Sequence, residues 1–110
     1  IEMIEQMTER NKVINQVYQK ICLNRAIECF NENKLNEALI YLDKSLSQSH
    51  SDEYVATAYY LKGEIYYQND EYNLSINNIN KFFNTTNSQT NKYYVHANYT
   101  MGYNLFKQKK

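Results

Sequence analysis

The chain is predicted to be all-α, built from antiparallel helix hairpins stacked on one another as a short solenoid. Three observations carry that prediction. Proline is absent and glycine occurs only at Gly63 and Gly102, so helices meet few breakers and the usual punctuation of all-β folds is missing. Apolar residues recur at a spacing of three and four. Two stretches of the sequence also overlay each other in register without a gap.

Each element follows from that spacing. Cys22, Ala26, Cys29 and Phe30 mark one helical face, and Leu35, Leu39, Leu42 and Leu46 a second. Tyr59, Gly63, Tyr66 and Tyr67 mark a third, and Tyr72, Ile76, Ile79 and Phe83 a fourth. Between them lie Asn31 to Lys34, Ser47 to Asp52, Gln68 to Asp70 and Thr85 to Asn91, polar stretches of the residue types that cap helices and turn chains. Lys12 to Tyr18 extends the first helix, and Ile1, Ile4 and Met7 are expected to end an earlier one.

The repeat is visible when Arg25 to Leu39 is written over Lys62 to Ile76, because Ala26 and Gly63, and likewise Ala38 and Ser75, stand 37 residues apart. A third copy begins at Ala97, with Gly102 where Gly63 stood, 39 residues on, and stops before its second helix. Ala26, Ala38, Gly63 and Ser75 fall where the two helices of a hairpin cross most closely. Only short side chains let helix axes approach to roughly 8–10 Å. A hairpin cannot bury both of its faces alone, so each copy must stack on the next.

The segment Ala58 to Ile76, with its aromatic, Gly, aromatic pair, Asn-Asp-Glu-Tyr turn and small residue followed by an aliphatic one, resembles the tetratricopeptide repeat (TPR) signature. Glu37 to Leu46 resembles the second helix of the same motif. The resemblance covers about residues 19 to 108, in the style of long bacterial TPR arrays, and implies hairpins stacked as a right-handed superhelix. On that reading residues 1–18 are a preceding helix segment, 19–52 and 56–90 two repeats, and 93–110 the first helix of a third, all in a single domain. The spacing exceeds the family's usual ~34, which places the extra residues in the loops near Ser47–Asp52 and Thr85–Asn91. His50 and Asn87 stand where the family usually has proline, and Phe82 replaces the small residue that the first repeat keeps as Ser45. Its bulk is expected to push the third repeat outward.

Composition narrows the function. Twelve basic residues balance twelve acidic ones, so there is no net positive field to gather nucleic acid. No apolar run reaches the ~20 residues of a membrane helix. The sequence begins without Met, and the expectation is a piece of a longer protein, its location unknown between bacterial cytoplasm and periplasm. Cys22 and Cys29 lie about 10 Å apart along a helix, too far for a disulfide, and read as buried thiols. With no CxxC and two isolated histidines, neither a metal site nor a cofactor is expected.

Catalysis needs a nucleophile with its base, or two converging carboxylates, and the sequence offers neither. Asp52-Glu53 and Asp70-Glu71 are expected to open helices, where carboxylates suit the positive dipole end. By resemblance the first helices of successive repeats line a concave face. Lys20, Leu23, Ile27, Phe30 and Asn31 would stand there in the first repeat, Tyr60, Glu64, Tyr67 and Gln68 in the second. His96, Tyr99, Tyr103, Phe106 and Lys107 would follow in the third. Tyrosine and phenylalanine offer large contact area at small ordering cost, while Asn31, Gln68 and Glu64 can hydrogen-bond a peptide backbone. Tyr60, Tyr67 and Tyr103 are assigned to the groove, Tyr59 and Tyr66 to the packing between helices. TPR domains that grip acidic chaperone tails carry Lys and Asn where this chain has Leu23 and Ile27, which argues against a carboxylate clamp. The expected function is a scaffold that binds a peptide or protein segment. The alternative is a structural spacer, or a homodimer formed through the uncovered third-repeat helix with Met101 and Leu105.

Overall fold

Every polar stretch singled out above separates two helices. The computed structural model describes residues 2–48 and 51–109, with residues 2–10 as backbone alone. Among the described residues five α-helices follow in order: α1 (Glu2–Asn31), α2 (Leu35–Leu46), α3 (Asp52–Gln68), α4 (Tyr72–Phe83) and α5 (Tyr94–Gln108), with a 3₁₀ turn at Ser88–Thr90 before the last. No strand occurs among the described residues. The chain divides into two compact units, residues 1–51 and 52–110.

One expectation changes at once. No turn separates an earlier helix from the first repeat, because α1 runs unbroken from Glu2 to Asn31. Nothing in that stretch is a glycine or proline, so the backbone ladder has no reason to stop. The side chains of Ile1, Ile4 and Met7, invoked for the earlier helix, lie outside the described residues, as does His50.

The first unit is the α1–α2 hairpin. Ala26, Cys29, Ala38 and Leu42 are fully buried in it, and Cys22 and Leu23 nearly so, while both cysteines are free thiols. Ser45, the penultimate residue of α2, donates its hydroxyl to the Gln19 carbonyl at 2.9 Å. The buried Gln19 side chain in turn accepts the Ser51 backbone N–H at 3.1 Å. The twelve residues of α2 span about 18 Å against about 45 Å for α1, so the hairpin ends near Gln19. Beyond it Val13, Ile14 and Val17 are exposed.

The two hairpin turns are the same structure. At the end of α1 the Lys34 N–H reaches the Cys29 carbonyl at 2.8 Å and the Asn33 N–H reaches that of Phe30 at 3.0 Å. At the end of α3 the Glu71 N–H reaches Tyr66 at 2.8 Å and the Asp70 N–H reaches Tyr67 at 3.0 Å. This is the Schellman pair of bonds, which satisfies carbonyls that a helix end otherwise leaves orphaned. It requires a left-handed residue, and Asn33 (φ 61°) and Asp70 (φ 62°) supply it where glycine is commoner. Asp70 therefore closes α3 instead of opening α4, and accepts the Tyr72 hydroxyl at 2.9 Å. Asp52 and Glu53 do open a helix, α3.

In the second unit α4 packs on both α3 and α5. The crossing with α3 is as close as the small residues require. A Cβ placed on Gly63 would stand 2.5 Å from Ile79 Cδ1 and 2.7 Å from its Cγ1. The Ser75 hydroxyl donates to the Gly63 carbonyl at 2.6 Å, and Asn104 Nδ2 donates to that hydroxyl at 2.8 Å. A buried thread of hydrogen bonds thus ties α5 to α4 to α3. Phe82 is fully buried with its ring edge-on to Tyr60 and Phe83, so its bulk is absorbed in the core of this unit. The longer spacing before the third copy is taken up by the 3₁₀ turn, where Asn87 (φ 61°) is left-handed. Gly102 lacks the role of Gly63: it is exposed, and a Cβ there would meet nothing within 4 Å.

Candidate functional site

Successive turns of α3 present Tyr60, Glu64 and Tyr67 toward α5 at the three-and-four spacing. From α5 come His96, Tyr99, Thr100 and Tyr103. Together they line an open recess of about 350 Å³. The size lies at the lower end of small-ligand sites.

Its floor is the deepest group. Tyr60 is only 6% exposed, its ring stacked on Tyr93 at 4.6 Å between centroids and 9° between planes. Assigned to a groove on sequence, Tyr60 is packed as core although it still contributes to the recess lining. Burial first, then the Glu64 carboxylate and the Tyr93 phenol, push its hydroxyl well above the ordinary tyrosine range. Tyr93 is held in place locally, because the Asn91 side chain accepts the Tyr93 N–H at 2.8 Å and turns the chain into α5.

The wall holds the one carboxylate. Thr100, buried on α5, places its hydroxyl 2.8 Å from Glu64 Oε2 and 3.0 Å from the His96 carbonyl. That contact holds one carboxylate oxygen of Glu64, a half-buried residue of the recess lining. The rim is aromatic. Tyr67 lies 5.9 Å from Tyr72 and 6.2 Å from Tyr103, both tilted, while Tyr99 and Tyr103 are more than half exposed. A neighbouring recess of about 430 Å³ continues along α5, sharing Tyr99 and Tyr103 and adding Asn98, Gly102 and Phe106. Phe106 is 72% exposed.

The remaining residues assigned to the binding face lie elsewhere. Gln68 is exposed at the last position of α3 and does not line the recess. Phe30, half-buried, and Asn31, exposed, end α1 in the first unit. Tyr59 and Tyr66, assigned to packing, are half-buried, and Lys81 Nζ sits 5.6 Å over the Tyr59 ring.

Two contributors escaped the sequence reading. Thr100 was not among the residues assigned to the face, yet its hydroxyl bonds Glu64; the pairing spans 36 residues and no local pattern marks it. Tyr93 lies before the periodic segment, and only Asn91, two residues earlier, signals the turn that aims it.

A larger cleft of about 450 Å³ lies between the start of α3 and the 3₁₀ turn, lined by Asp52, Glu53 and Lys92 with threonine and asparagine side chains. Its charged groups are exposed, so an ion pair formed there gains little over water. Among the described residues no three His, Cys, Asp or Glu side chains converge as a metal site would require, and no helix is long and apolar enough to cross a membrane. No protein-family model, curated protein or solved structure matches the chain.

Proposed function

We propose that the chain is a tetratricopeptide-type scaffold, its hairpins stacked as a right-handed superhelix, that binds a peptide or protein segment on its aromatic face. The observation that carries binding is the recess between α3 and α5, where Tyr67, Tyr99, Tyr103 and one oriented carboxylate stand over the buried Tyr60 within a single compact unit. Rigid aromatic rings with polar edges are the side chains that dominate interface energetics. The continuation of the recess past Tyr99 and Tyr103 to Phe106 lengthens it along α5, which suits an extended segment better than a compact small molecule. The repeat reading is supported by the two turns built from equivalent atoms 37 residues apart and by the small residues at the α3–α4 crossing. The role assigned is binding, with no catalytic step.

The test is Tyr67→Ala and Tyr103→Ala, measured by peptide capture and by circular dichroism. Each is expected to weaken capture by tenfold or more with helicity nearly unchanged. Unfolding with affinity per folded molecule intact would return these rings to the core. A second reading, self-association, is favoured by the exposure of Phe106 (72%) and Leu105 (49%) at the end of α5. Light scattering separates the two: a monomer at all concentrations that still captures peptide excludes the spacer role.

A further inference from the structure

The chain shows how it uses tyrosine faces. Tyr41 carries two cations of its own unit, Arg25 at 5.8 Å and Lys44 at 5.3 Å from the ring centre. Lys81 covers Tyr59 at 5.6 Å, and Lys92 covers Tyr93 at 5.2 Å. The rings of the α3–α5 recess, by contrast, are lined by no lysine or arginine. The charge they surround is negative: Glu64, half-buried, aimed by the Thr100 hydroxyl on one oxygen.

A ring face is the negative end of the aromatic quadrupole, so tyrosines arranged about a carboxylate make a site of one electrostatic sign. From this charge complementarity we infer that the recess takes a lysine or arginine side chain of the bound segment. The base pairs with Glu64 and its alkyl stem lies against the faces of Tyr67, Tyr99 and Tyr103. The inference rests on the peptide-binding reading and sharpens it: the partner segment is basic at one position, with apolar residues beside it to meet Phe106 in the neighbouring recess. An acidic segment is excluded by the same field, and a purely apolar one covers the half-buried carboxylate without supplying a countercharge. His96, an exposed residue, is the only nitrogen base of the lining.

The experiment is a selection of random heptapeptides on the immobilised full chain, followed by anisotropy titration of the strongest binder. One lysine or arginine is expected to recur among the selected sequences. Replacing it by norleucine, a neutral chain of similar length, should weaken binding about tenfold. Glu64→Gln should lose the same factor toward the basic peptide and nothing toward the norleucine peptide, since Gln still accepts the Thr100 hydroxyl and keeps the fold. Glu64→Lys should reject the basic binder. Selected sequences without a base, a norleucine peptide as tight as its parent, or an unaffected Glu64→Gln would each overturn the basic anchor while leaving peptide binding standing. Failure to recover any binder sinks the peptide reading itself and the anchor with it.

Discussion

Gly63 and Ile79 meet at the α3–α4 crossing, and their coupling has a sign that can be measured. Glycine inside a helix costs about 1 kcal/mol relative to alanine, so Gly63→Ala is stabilising wherever the Cβ has room. Here it has none. The new atom would stand 2.5 and 2.7 Å from two carbons of the Ile79 side chain, although the Ile79 backbone nitrogen, at 3.4 Å, is at ordinary contact distance. The side chain must leave its rotamer or α4 must shift, which costs about 2–3 kcal/mol by the usual overpacking scale. The net expectation for Gly63→Ala is therefore a loss of about 1–2 kcal/mol. Ile79→Ala alone removes both clashing carbons and leaves a cavity in a fully buried position, a loss of about 2–5 kcal/mol. On that background Gly63→Ala should reverse sign and gain about 1 kcal/mol, a coupling of about 2–3 kcal/mol between the two sites. Urea denaturation of the four proteins, followed by circular dichroism, gives each term. Equal effects of Gly63→Ala on the two backgrounds would refute the crossing.

Other consequences follow from the same contacts. Asn33→Gly and Asp70→Gly should each stabilise by about 0.5–1 kcal/mol in a thermal melt, because both residues hold a left-handed conformation that glycine adopts freely. The gain at Asp70 should be the smaller, since the Tyr72 hydroxyl loses its acceptor. Ser75→Ala should cost about 2–3 kcal/mol in urea and Ser45→Ala about 1 kcal/mol: the first strands the buried Asn104 amide as well as losing a bond to a carbonyl, the second loses only the bond. The Tyr60 hydroxyl is neutral in the fold well above its ordinary value of about 10, so the unfolded chain releases that proton first. Stability is then whole below that value and falls as pH rises beyond it. Tyr60→Phe should flatten that alkaline decline in urea midpoints; an unchanged slope would place the tyrosine in ordinary surroundings.

Helix positions were legible because each is announced locally. The three-and-four spacing set the faces, and the Asn- and Asp-rich stretches set the turns within a residue or two of where they occur. The overlay of the two copies sets Asn33 over Asp70, but Asp70 had been read as a helix opener, and their shared left-handed role is shown by the structure. The site was less legible. That α3 and α5 carry a row of aromatics follows from spacing, but spacing alone does not separate a ring that faces solvent from one that faces a neighbour. Tyr60 shows the difference: its fate is set by Tyr93 and Phe82, 33 and 22 residues away.

What the amino-acid order determined, unaided, is the helical class, the turn chemistry and the small residues at the α3–α4 crossing, since these depend on backbone preferences and on neighbours within a turn or two. Only the tertiary structure decided that Thr100 aims Glu64 and that Tyr60 belongs to the core. Those outcomes turn on side chains brought together across tens of residues, where burial and hydrogen-bond satisfaction outweigh any local preference.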